Sequence, residues 1–129
     1  LQSILIQDQY FEQAAKSVDF IQTHVFPGSA IPSITRIQNG ITENTDLKLA
    51  HFEDFGLHYA YTLHEWDQRL ESKKSELNKL GFDERLYRLW KYYFAYCEGG
   101  FLERQISVAH LTFTKPLYRE EPIRLEKNS

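Results

Sequence analysis

The chain has one cysteine and no methionine in 129 residues. A single thiol, Cys97, excludes an internal disulfide and suits a reducing compartment, so a cytoplasmic protein is expected. A chain that opens on Leu1 without any methionine is not expected to begin at its translated start, and an upstream segment is expected with it. Basic excess is lacking too: 15 Lys and Arg stand against 18 Asp and Glu, a formal charge of -3. Without a Lys/Arg stripe the electrostatic footprint for a phosphate backbone is missing, which argues against nucleic acid as a partner. No apolar run approaches the roughly 20 residues that span a bilayer, and neither a basic leader nor a small-residue cleavage site opens the chain. Also absent are a G-x-G turn, an internal repeat and any low-complexity segment. What is present is a hydrophobic fraction of 42% with 15% aromatic residues, the composition of one globular unit.

The order of patterns is that of an α/β protein. Leu1 to Ile6 is a short apolar run ending before Asp8, which suits a buried strand handing over to a helix. Phe11, Ala14, Val18, Ile21 and Val25 then recur at helical spacing until Pro27-Gly28, so one long helix is expected there. Ser33 caps a short helix reaching about Asn39, after a loop stiffened by Pro27 and Pro32. LKLAHFEDF (47–55) has apolar residues on both faces, as a covered strand would. Tyr59, Leu63, Trp66, Leu70, Leu77 and Leu80 form one helical stripe closed by Gly81 in a left-handed cap. Asp83 caps a second long helix reaching about Arg104, so rich in aromatics that it needs cover on more than one side. Ile106 to Thr114 alternates as a strand, and the charged, unpatterned residues 116–129 are expected to fray. Residues 1–115 thus form the domain, with three strands, too few to close a doubly wound sheet alone.

Four segments in this order resemble the cyclopropane-fatty-acid synthase family and its fatty-acid methyltransferase relatives. They are Phe26-Pro27-Gly28 with Ile31-Pro32-Ser33; Phe55-Gly56-Leu57-His58-Tyr59 with Thr62-Leu63 and Trp66; Asp83-Glu84-Arg85 with Trp90-Lys91-Tyr92-Tyr93; and Tyr96-Cys97-Glu98 with Phe101 and Ile106. The resemblance implies the C-terminal half of a class I methyltransferase (Rossmann-like) fold: a seven-stranded, mostly parallel sheet whose first half holds S-adenosylmethionine and whose second half shapes the acceptor pocket. Only the second half is matched, so the expected parent is an enzyme while the isolated chain, lacking the donor-binding half, is expected to be inactive. The implied parent activity is methylation of the double bond in unsaturated fatty acyl chains of phospholipids, by cyclopropane formation or C-methylation. It would take place in the cytoplasm at the inner membrane surface.

The resemblance also assigns residues. Tyr59 falls on the catalytic tyrosine that holds a bicarbonate, while the family's histidine and isoleucine backbone at that anion site fall on Gln2 and Ile4. A Gln2 amide cannot exchange a proton near neutral pH, which shifts the expectation toward simple methylation. Acyl-tunnel positions fall on Ile31, Leu63 and Cys97, with Phe26 and Tyr93 beside them. Without the resemblance, Tyr59 reads as an ordinary core tyrosine at the head of an apolar stripe, and the tunnel residues read equally as core filling. Two rival signals are weaker. His51, Glu53, Asp54, His58 and His64 lie close in sequence but fit no familiar ligand set, so no metal is assigned. Cys97, amid aromatics and without a neighbouring base, reads as a wall residue rather than a nucleophile. A small-molecule methyltransferase part and a non-catalytic module that dimerises through its aromatic helix stay open as alternatives.

Overall fold

A computed structural model describes residues 1–119. Most of the charged stretch expected to fray lies outside the described residues. Strand β1 (Gln2–Ile6) leads into α1 (Asp8–Lys16), α2 (Phe20–His24) and α3 (Ile34–Asn44). Then come β2 (Lys48–Asp54), α4 (Gly56–Ser72), α5 (Lys74–Lys79), α6 (Glu84–Leu102) and β3 (Ile106–Thr114). The sheet order is β1-β3-β2, and β3 is antiparallel to both neighbours. The last strand of the chain is therefore the central one.

The alternating β3 residues separate two cores. Ala109 and Leu111 pack with Leu5 under Ile34 and Ile37 of α3. On the opposite face, Val108 meets Ala60 and Leu63 of α4 and Phe94, Cys97 and Phe101 of α6. The residues with period two on the strand and period near 3.6 on the helices are the ones buried, as amphipathic packing requires. Aromatic contacts join the two helices, with Trp66 6.1 Å from Phe94. An outer polar seam adds Lys91 Nζ to Asp67 at 2.8 Å and to Glu71 at 3.1 Å. Tyr87 donates its hydroxyl hydrogen to Glu71 at 2.6 Å. Exposed pairs of this kind contribute about 0–1 kcal/mol each, so the apolar contact dominates.

The folded chain departs from the sequence reading at four places. The expected long first helix is two: Ser17 is extended, and Asp19 starts a new helix through a reciprocal capping box with Gln22. Val18, expected on a buried stripe, is 77% exposed, because it sits in that break. The Ser33 cap is present but its helix runs on to Asn44 rather than Asn39. The Tyr59–Leu80 stripe is divided between α4 and α5 at Lys73, leaving Leu80 exposed. Gly81 has the expected left-handed backbone, φ 86°. Finally β2 is not covered: all but Leu49 are exposed along it, since it pairs on one edge only and no described helix lies over its outer residues.

At the β2–α4 junction a Cβ on Gly56 would lie 2.5 Å from Ser107 Oγ and 3.2 Å from its Cα. Asp54 accepts from the Gly56 N–H at 2.9 Å and from the Ser107 hydroxyl, so the serine is not free to swing away. Gly56→Ala gains about 1 kcal/mol of helix propensity but overpacks a pinned site, a cost of roughly 1–3 kcal/mol. Net destabilisation of about 1–2 kcal/mol is expected by denaturant titration, partly recovered by adding Ser107→Ala. Arg104 ends α6 with φ 55°, a left-handed cap in which a Cβ costs roughly 1–2 kcal/mol. Arg104→Gly should raise stability by about 1 kcal/mol, the strain relief exceeding the added unfolded-state entropy.

Candidate functional site: an apolar cavity beneath the aromatic helix

Two hollows meet at Ile6 and Ile106. The first, about 620 Å3, lies where β1 and β2 end and α4 begins, with Gln7, Asp54, His58 and Arg104 on its walls. The second, about 490 Å3, lies between α1, α2 and α6 and is roofed by Ser29, Ala30 and Ile31. Its walls are mostly apolar or small: Phe11, Ala14, Ile21, Ile31, Cys97, Gly99 and Gly100. The roof is fixed by backbone. Ile6 N–H donates to Pro32 O at 3.1 Å and Ile6 bridges Ser33, so the proline-flanked loop prolongs the sheet and hangs Ile31 over the hollow. Ser33, almost wholly buried, caps α3 by accepting from Arg36 N–H. Its hydroxyl also holds Asp8 below the usual carboxylate range.

Of the tunnel positions, Ile31 and Cys97 line this cavity together. Phe26 and Tyr93 meet edge to face beside it, ring centres 6.0 Å apart. Leu63 is packed in the core with Cys97 and does not border the hollow. Burial pushes the Cys97 thiol up to about 11, against a lowering hydrogen bond from Tyr93. Burial likewise pushes Tyr93 up to about 12, helped by Cys97 and Tyr59. Both groups are therefore neutral at pH 7, as an apolar wall demands.

Tyr59 is half-buried at the head of α4, its ring 5.1 Å from Phe101 and 6.1 Å from Trp66. Among the described residues its hydroxyl has no hydrogen-bond partner. Gln2 lies elsewhere on the sheet: its Oε1 accepts from His110 Nε2 at 2.9 Å, and no hydrogen bond joins it to Tyr59 among the described residues. Ile4 shares the Gln2 face of β1, two residues on, and is partly exposed. His110 was not legible as a site residue in the sequence. Strand register brings it opposite both Gln2 and Glu53, and its ring lies 4.5 Å from that of Phe55. Of the H-x-E-D stretch and the histidines after it, Asp54 is taken up by Gly56 and Ser107 and His64 pairs with Glu98 at 3.4 Å; no three of them gather as ligands among the described residues.

The cavity wall has a chemical signature. With Cys97 at about 11, its thiolate fraction at pH 7.5 falls roughly 100-fold or more below that of an ordinary thiol. Iodoacetamide should modify the folded chain at least that much more slowly than the unfolded one. The rate should rise about tenfold per pH unit through pH 10; a plateau near pH 8 would contradict the buried setting.

Comparison with known proteins agrees with this architecture. Residues 1–111 match the family described as mycolic acid cyclopropane synthetase. The tuberculostearic acid methyltransferase of Mycobacterium tuberculosis is 36% identical over 103 residues, 80% of this chain and 23% of the relative. A probable fatty acid methyltransferase of Pseudomonas putida is 33% identical over 98 residues, 76% of this chain and 24% of the relative. Among solved structures, a mycolic acid cyclopropane synthase complexed with SAH and CTAB superposes with a TM-score of 0.77 at 27% identity, covering 89% of this chain and 43% of that one. A cyclopropane synthase from Mycobacterium tuberculosis gives 0.76 at 25% identity over the same shares. The chain thus spans about a quarter of these curated relatives and less than half of the solved ones, carrying part of a methyltransferase fold. It belongs to the mycolic acid cyclopropane synthetase family.

Proposed function

We propose that the protein containing this chain is an S-adenosylmethionine-dependent methyltransferase that acts on the double bond of unsaturated phospholipid acyl chains, working in the cytoplasm at the membrane surface. The observation that carries this reading is the cavity of about 490 Å3 walled by Ile31, Cys97 and other apolar or small groups. A slot for an acyl chain needs such walls: each methylene buried contributes about 0.8 kcal/mol, and a polar group left unpaired there would cancel several of them. Family membership supports the methyl-transfer class, and the related synthase solved with SAH supports the donor.

The residues present do not suit the adenosyl group itself. The turn after β1 is Gln7-Asp8 with no glycine, and Asp8 is occupied by Thr35 N–H at 3.1 Å. S-adenosylmethionine would supply the methyl group when bound, and its binding falls to residues outside this chain, which alone should not turn over. What these residues contribute is orientation and exclusion of water. Tyr59 offers a hydroxyl without a hydrogen-bond partner among the described residues, next to aromatic faces, a setting that steadies developing positive charge. Among the described residues the Gln2 amide hydrogens have no partner, which leaves them to a bicarbonate-like anion with the Ile4 backbone, but Gln2 cannot take a proton itself. No helix among the described residues is long and apolar enough to cross a membrane.

The test is lipid mass spectrometry on cells expressing the full-length protein, its Tyr59→Phe variant or an empty vector. Unsaturated chains should gain one CH2 unit with the wild type, and Tyr59→Phe should lower the yield roughly 100-fold, the lower range for a positioned catalytic group. Unchanged lipids from a soluble protein that binds S-adenosylmethionine would replace the acyl substrate with a small molecule.

A further inference from the structure

The last turn of α6 carries two adjacent glycines, Gly99 and Gly100, that helix stability does not call for. Glycine is the weakest helix former after proline, and its usual purpose near a helix end is to supply a left-handed backbone. Here that backbone belongs to Arg104, and neither glycine has a positive φ. Gly100 has a packing reason instead: a Cβ there would lie 3.2 Å from Ile106 Cδ1 and Cγ1. Gly99 has no such neighbour. A Cβ on it would meet nothing within 4 Å, although the residue borders the apolar cavity. A side chain at this position would grow into the hollow rather than onto a wall.

Across the hollow stands α1. None of its residues is buried, so Phe11, Ala14 and Ala15 border the space without closing it. Alanines on one helix and a glycine on the other thus leave a gap between them. Of the two ends of an esterified acyl chain, only the methyl end suits such a gap, because the ester end carries polar groups that apolar walls would leave unpaired.

We propose that Gly99 sets the length of acyl chain the enzyme accepts, by leaving room for the segment between the double bond and the terminal methyl. The inference rests on the acyl reading above, and the experiment keeps the two apart. Full-length protein and S-adenosylmethionine are given vesicles holding palmitoleoyl and oleoyl phospholipids in equal amounts, and the methylated chains are measured by mass spectrometry. These acceptors share the position of the double bond and differ by two methylenes beyond it. Because they compete in one sample, their product ratio does not depend on how much of a variant folds. Gly99→Leu should lower the oleoyl-to-palmitoleoyl product ratio about tenfold and Gly99→Ala about threefold, since the added groups clash with the longer chain alone. Where Gly99→Leu yields no product, Gly99→Ala carries the test. Gly40→Leu is the control: Gly40 on α3 also has open space where its Cβ would stand but lies outside both hollows, so the ratio should stay at the wild-type value. An unchanged ratio in the Gly99 variants, as expected if residues outside this chain fill the gap, overturns the proposal and leaves the acyl reading standing. A ratio that falls as far with Gly40→Leu overturns it as an indirect effect on the fold. No methylated chain from wild-type protein that binds S-adenosylmethionine overturns the acyl reading and the proposal with it.

Discussion

At the end of β2 the backbone of Gly56 passes so close to Ser107 that no side chain fits between them, and Asp54 clamps both. This contact sets where α4 leaves the sheet. Because α4 starts there, Ala60 and Leu63 meet Val108 one turn later, and Tyr59 takes its place against Phe101. Helix α6 then packs on α4, and its opposite side closes the cavity through Cys97, Gly99 and Gly100. A shift at Gly56 would thus be carried through a close-packed core to a wall on the other side of α6, since such interiors transmit strain rather than absorb it.

Several polar groups in and beside the cavity wall are neutralised or satisfied. Cys97 and Tyr93 stay protonated through burial. Gln22 donates its amide hydrogen to Ser29 O at 2.8 Å while completing the α2 cap. That bond ties α2 to the roof loop, so the break after Lys16 serves the hollow: a single continuous helix would place Asp19 within a turn and leave no cap to reach across. Small residues on α6, Gly99 and Gly100, leave the space that larger side chains would fill.

Much of this was readable before folding. The β3 alternation, the Asp83 cap and the Gly81 stop are local signals, decided by neighbours within one or two turns. The failures came where two local signals competed. Val18 continues an apolar period, but Asp19 and Gln22 form a capping box, and the reciprocal cap prevailed over one valine. Leu77 and Leu80 continue the α4 stripe in phase, yet the chain turns at Lys73. Ile31 and Cys97 were named from the family resemblance; their meeting in one cavity depends on the Ile6–Ser33 bridge, which no spacing encodes. His110 was invisible for the same reason. Its neighbours Gln2 and Glu53 come from strands distant in sequence, and only the register of β3 between them makes a polar row.

The two parts of the cavity have different physical tasks. Apolar walls give affinity in proportion to the methylenes they cover, but they discriminate weakly, since one methylene more or less changes little. Discrimination needs groups that are wrong for the competitor. Here the charged residues on the wall, Asp19 and Glu103, are not fully buried, so they keep part of their hydration. A carboxylate placed deeper would have to be neutralised by protonation, as Cys97 and Tyr93 are held neutral. Charge is therefore confined to the partly solvated edge, and the inner wall is left to cover apolar groups.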